Sequence, residues 1–219
     1  MGSEADICSM AHYTPRTFTL NGTHLKADIS HHIRRFARPE VSARRITRTI
    51  KNFFILATKG KSWLRIMSDT GEWLEAGVYR DGDYSFVVFE GDPSTSNDRW
   101  GPYLGILCVG FDIIRRQGKK IVLIKQIQST RRPQEKAHRM LRTIRWERVL
   151  IALVEEWAQC HGCHATAIIR ATQSEWYDRS IEKIKKLMYL RYDKTAKRAG
   201  YRFDHTLGFW MKPITPHSP

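Results

Sequence analysis

The residues IVLIKQIQ (121–128), STRRPQEKAHRMLRTIR (129–145) and WERVLIALVEEWAQCHG (146–162) read in turn as a buried strand, a basic turn and a helix. Ile121, Val122, Leu123, Ile124 and Ile127 supply the apolar run of a strand entered from the turn Gln117-Gly118-Lys119. In the third segment Trp146, Val149, Leu150, Leu153, Val154, Trp157 and Cys160 recur at helical spacing, with Glu147, Glu155, Glu156 and Gln159 on the other side. Gly162 suits the left-handed residue that closes a helix. Between strand and helix the charge is concentrated. Arg131 and Arg132 are followed by Lys136, Arg139, Arg142, Arg145 and Arg148 at every third position. A helix start has unpaired N–H groups and partial positive charge, so so many cations there oppose the dipole unless an anion joins them. The alternative is a solvated helix with a basic outer face.

Working outward, 219 residues that are 42% apolar and 11% aromatic can bury one sizeable core, so one domain with an appendage is expected. A net charge of +15 makes polyanions the natural partners: nucleic acid, RNA ahead of DNA, or a phosphorylated cofactor. No apolar run reaches the ~20 residues of a membrane span, and the N-terminus lacks a secretory pattern. Together with only four cysteines, this gives the expectation of a reduced, cytoplasmic protein without a membrane partner and with room for a homodimer.

In chain order, residues 1–16 read as a loose leader, and Thr17–Leu20 with Asn21-Gly22 as a short strand and turn. Residues from about 28 to 58 read as helix, broken at Pro39. The second helical piece is capped by Ser42, stopped by Gly60, and has Ile46, Ile50, Phe53 and Phe54 on one face. Its other face carries Arg44, Arg45, Arg48 and Lys51, candidate nucleic-acid contacts. The runs WLRIM, WLEAGVYR and YSFVVFEG between residues 62 and 91 read as a β-meander with Asp-Gly turns, and as the acidic part of the chain. Residues 91–102 are a loop by composition. Residues 103–114 read as a strand with a bulge marked by its glycines. A short strand follows at 166–169, then a basic helix over about 178–199, and two closing strands at 201–203 and 208–211. Lys183, Lys186, Lys194 and Lys197 on that last helix, with Trp176 and Tyr177 before it, make a cationic surface with aromatics on which bases could stack.

Two motifs are set aside. Cys160-His161-Gly162-Cys163-His164 has the haem-attachment and zinc pattern, but haem attachment needs export and zinc needs about four ligands, so a packed helix end is expected and no metal. No serine lies in a nucleophile pattern.

The second half resembles the GCN5-related N-acetyltransferase (GNAT) fold, over roughly residues 100–214. In that family a core strand passes through a phosphate-binding turn into a long helix, a strand, a second helix and a closing strand pair. IVLIKQIQ, the helix from Trp146, and Tyr192–Phe203 with its Gly200-Tyr201 resemble these parts. The family's turn reads Gln or Arg, two residues, Gly, any residue, then Gly or Ala; here Arg142-Thr143-Ile144-Arg145-Trp146-Glu147 stands in that place. The resemblance implies an α/β (α+β) fold with a mixed, mostly antiparallel central sheet flanked by helices. Its divisions are a leader (1–16), a basic helical part (17–61), a GNAT-like domain (62–214) and a tail (215–219). It implies an acetyl-CoA-dependent acyltransferase with Gln128, Arg139, Arg142 and Arg145 at the cofactor. The family's general-acid tyrosine falls on Ala196, leaving Tyr192, one turn earlier, and Tyr189 as candidates. The other expectation is a scaffold of the same fold that binds RNA or DNA through its basic helices and has no chemistry.

Overall fold

The computed structural model describes residues 17–20, 22–26, 30–46, 53–67, 73–90, 107–129 and 144–214. The chain is a mixed α+β protein built on a mostly antiparallel sheet with helices beside it. Its strands are β1 (Thr17–Leu20), β2 (Gly22–Lys26), β3 (Phe53–Lys59), β4 (Ser62–Met67), β5 (Trp73–Arg80), β6 (Tyr84–Glu90), β7 (Leu107–Arg116), β8 (Lys119–Ser129), β9 (Ala165–Ile168), β10 (Arg202–Asp204) and β11 (Phe209–Pro213). The helices are α1 (Ser30–Phe36), α2 (Trp146–Cys160), α3 (Glu182–Tyr189) and α4 (Thr195–Arg198), the last two joined by a π-helical turn at Leu190–Lys194. The large sheet runs β1-β2-β3-β6-β7-β8-β9-β11-β10, and β4 pairs only with β5. All neighbours in it are antiparallel except β8 and β9.

One face of this sheet carries Ile55, Phe86, Val88, Val109 and Phe111, and α2 packs there with α1 beside it. Trp157 is the centre of this layer, its ring centroid 5.1 Å from Tyr84 and 5.0 Å from Phe111. Leu56, Val87, Phe89 and Cys108 point the other way and meet Leu64 and Val78 of the β4–β5 hairpin. The helix stop at Gly162 holds: its φ is 64°, and Cys163 N–H donates to Ala158 O at 2.9 Å, closing a Schellman turn. Trp146 is core, as its spacing implies.

The helix expected to reach residue 58 is corrected by β3, which pairs along its whole length with β6. The physical reason is burial on both faces. Ile55 and Leu56 are both buried but face different layers, so the period-2 alternation that marks a half-buried strand is erased. Among its described residues the part from 17 to 61 thus holds three strands, one short helix and a helical turn at 43–46 in which Ser42 Oγ accepts the Arg45 N–H at 3.4 Å.

A bulge lies beside Gly110, but the strand that carries it is β8 and not the one whose glycines marked it. Gly110 faces Gln126 while Phe111 faces Ile124, so Lys125 has no partner on β7. Two glycines make the approach possible. A Cβ on Gly82 would stand 2.3 Å from Phe111 N, and one on Gly110 would stand 2.9 Å from Gln126 Oε1. The β5–β6 turn is thereby pressed onto the bulge. No helix among the described residues is long and apolar enough to cross a membrane.

Candidate functional site

The two central strands part company. β8 and β9 pair in parallel from Ile121–Ala165 to Ile124–Ile168, and Ile169 N–H donates to Ile124 O at 3.1 Å. There the second strand ends and the chain enters a 3-10 turn at Ala171–Gln173, while β8 runs on to Ser129. The backbone of residues 125–129 thus faces a gap on the β9 side, and buried backbone groups need partners. Tyr192 supplies them. Its hydroxyl accepts the Ile127 N–H at 3.1 Å and donates to Lys125 O at 3.2 Å.

Tyr192 reaches the gap because of the π turn, which places both Tyr192 and Asp193 inside. Asp193 accepts the Ala171 N–H at 3.0 Å through Oδ2 and the Trp210 indole N–H at 2.9 Å through Oδ1, tying this helix to the chain on either side of the gap. Burial pushes the Tyr192 phenol up to about 12. Both functions of its oxygen are engaged, so in this arrangement Tyr192 serves the backbone of β8. Tyr192→Phe is expected to lose about 1–3 kcal/mol, from two buried backbone groups left without a partner, read by urea denaturation.

At the end of the gap the charge is positive. Arg191 Nη2 donates to Ser129 Oγ at 2.5 Å, and its guanidinium lies 5.6 Å from the Trp146 ring centre. Arg191 therefore joins the end of β8 to the start of α2. Arg145 is the N-cap residue, with φ 49° and ψ 57°, and no side chain caps this helix. Arg148 lies with its guanidinium 4.8 Å from the Phe36 ring centre, and its Nε has no hydrogen-bond partner among the described residues. Burial first, and then the charges of Arg145, Arg35 and Arg198, push the Arg148 pKa down. Arg148 thus feels three other arginines near a helix start, where an anion is favoured.

Glu147 is the acid among them. Burial raises its pKa; its own backbone N–H, Arg191 and Arg198 pull the other way without cancelling it. A carboxyl held above its unfolded value favours folding most below that value, and this contribution is lost as pH rises through the folded one. Glu147→Gln is therefore expected to match the parent near pH 4 and to be the more stable of the two at pH 7, compared by urea denaturation at both.

A second charged group borders the bulge. Asp81 takes the Gln126 Oε1 on its backbone N–H at 3.0 Å and lies 3.6 Å from Lys61, while Lys125 pairs with Asp112 at 3.2 Å. Burial raises the Asp81 carboxyl despite Lys125 and Lys61 nearby.

The expected residues are scattered. Arg145 is at the helix start; Gln128 is on β8, where its Oε1 accepts from Gln126 Nε2 at 2.6 Å. Tyr189 is exposed with Lys194 Nζ 5.8 Å from its ring centre, away from the buried Tyr192, so the two do not form one catalytic pair. Trp176 is exposed and Tyr177 half-buried, with Lys185 Nζ 5.5 Å from the Tyr177 ring. Lys183, Lys186, Lys194 and Lys197 are exposed along one helical run, Lys197 lying over Trp210. Arg44 and Arg45 are exposed in the turn after α1. Arg48, Lys51, Arg131, Arg132, Arg139 and Arg142 lie outside the described residues, as do the leader, the loop at 91–102 and the tail.

Sequence reasoning passed over Ser129, Arg191 and Asp193. The available signal was Arg191-Tyr192-Asp193, two charges flanking an aromatic in a helix whose other charges are nearly all basic. Cys160 is exposed and Cys163 buried, both as free thiols, and among the described residues no three His, Cys, Asp or Glu gather at metal-binding spacing. Compared with known proteins, the chain matches no family model and no curated protein.

Proposed function

We propose that the protein is an acyl-CoA-dependent N-acyltransferase of GNAT-like fold, acting on an amine of RNA or of another polyanion-associated substrate. The observation that carries this reading is the gap beside residues 125–129 of β8, opening at the arginine-lined start of α2. A slot edged by peptide groups suits the amide-bearing arm of acetyl-CoA, and the arginines at its end suit the phosphates. The order from β8 through α2, β9 and α3–α4 to the pair β10–β11 also follows the sequence of elements expected of that family.

Arg145 adds support. It stands where the family's turn has its first glycine, and it has the left-handed backbone that glycine adopts without strain. In this reading that one left-handed position is kept, and a guanidinium takes over from the close backbone approach. Catalysis in this reading is mostly positioning of amine against thioester, with stabilisation of the oxyanion. The enzyme works in the cytoplasm, where acyl-CoA and RNA are both at hand, and a homodimer is compatible with it.

One observation favours the other reading, a non-catalytic scaffold that binds RNA or DNA. The Tyr192 hydroxyl already fills the backbone positions that a cofactor amide would use. Calorimetric titration of nucleic-acid-free protein with acetyl-CoA separates the two. Micromolar binding supports the acyltransferase. No binding, together with tight RNA binding that falls steeply with salt, supports the scaffold.

A further inference from the structure

Helix α3 is amphipathic, yet much of its apolar side is left uncovered. Within it only Met188 is buried. Ile181, at its N-cap, is 70% exposed, and Ile184, Leu187 and Leu190 follow at every third residue with 42%, 40% and 45% exposure. Trp176, 55% exposed, lies in the turn that leads into this helix. Six of the eight large hydrophobic residues exposed among those described fall between Trp176 and Leu190, so this is a patch and not the ordinary scatter of apolar surface.

The charge around the patch says what kind of surface fits it. Lys183 precedes Leu187 by four residues and Lys186 precedes Leu190 by four, so each ammonium stands beside a residue of the stripe. Both lysines are exposed, as are Arg179, Lys194, Lys197 and Arg198. A second copy of the chain would bring like charges together across such a contact. The phosphates of RNA would satisfy the lysines and leave isoleucine and leucine in water. A bilayer with anionic headgroups satisfies both: aliphatic side chains enter the acyl boundary, lysine stems reach back to phosphate, and tryptophan lies at the interface.

We propose that the face formed by Trp176, Ile181, Ile184, Leu187 and Leu190, flanked by Lys183 and Lys186, docks on an anionic membrane surface. The contact is peripheral, with α3 lying in the plane of the headgroups. It does not depend on the acyltransferase reading, since it uses none of the residues at the β8–β9 gap.

The test is flotation of the full chain, freed of nucleic acid, with vesicles of phosphatidylcholine alone or with about one-third phosphatidylserine. Retention on the anionic vesicles and little on the neutral ones is the expected result. Ile184→Asp with Leu187→Asp is expected to weaken binding at least about tenfold, and Lys183→Ala with Lys186→Ala about thirtyfold. All four positions are exposed, and unchanged thermal melting shows that the fold is intact. The proposal is overturned by no retention on anionic vesicles, by equal retention on neutral ones, or by a double-aspartate variant that binds as the parent does. It is also overturned if that variant instead abolishes self-association or RNA binding while vesicle binding is absent throughout.

Discussion

Asp193→Ala is expected to remove about 3–5 kcal/mol of stability, a large share of the ~5–15 kcal/mol that holds an ordinary domain. The carboxylate is buried and accepts from the Ala171 amide and the Trp210 indole, with Arg170 Nε 3.8 Å away. Alanine would leave two buried donors without acceptors, and it would untie the π turn from β11 and from the chain leaving β9. Because the same turn carries Tyr192, the loss is expected to spread to the gap beside β8. Urea denaturation measures the first effect, and hydrogen exchange at the Ile127 amide measures the second. A variant within about 1 kcal/mol of the parent would show that these contacts are not what fixes the turn.

Under the proposed acyl-CoA reading, Arg145→Glu is expected to weaken acetyl-CoA binding about a hundredfold, since it would remove a charge-assisted contact and set a carboxylate at the phosphates. Arg145 is exposed, so unfolding would not confuse the result. Arg145→Gly sharpens it. Relief of a left-handed arginine at φ 49° should raise stability by about 1 kcal/mol, because glycine takes this conformation freely. If the guanidinium holds the phosphate, the glycine variant is more stable and binds less tightly; if the loop amides hold it, affinity stays or improves. Affinity unchanged in both variants would remove Arg145 from the site. Calorimetry and thermal melting read the two effects separately.

Much of the architecture was legible where one face of an element is wet. The helix from Trp146 to its glycine stop follows from such a pattern, while the strand at 121–128, buried on both faces, was read from its β-branched run and the turn before it. The three strands at 62–91 were legible but their meander pairing is corrected: β4 and β5 stand apart as a hairpin, and β6 lies between β3 and β7. The run Phe53–Lys59 was not legible, because packing on both sides leaves an unbroken apolar run from Phe53 to Ala57 and no period to read. The site was less legible still. Arg145 could be found because charge at a helix start is anomalous. The contacts of Tyr192 with β8 could not be found, since its partners are main-chain atoms of a strand some sixty residues away, which carry no side-chain signature. Arg191 was invisible for a similar reason: Ser129 and Trp146 become its neighbours only after β8 and α2 are folded together.

The lone parallel pairing has a consequence for how the molecule is made. The hairpins β6–β7 and β7–β8 join neighbouring stretches of chain, whereas β9 must cross back over α2 before it can lie beside β8. Local pairings form early and long-range parallel ones late. On a ribosome, β8 is therefore the outermost strand of a finished antiparallel sheet, with its unsatisfied amides showing, until the helix and the strand after it have emerged. Slow translation between residues 129 and 165 would prolong that interval and favour aggregation, while the last contacts made would be those that shape the gap.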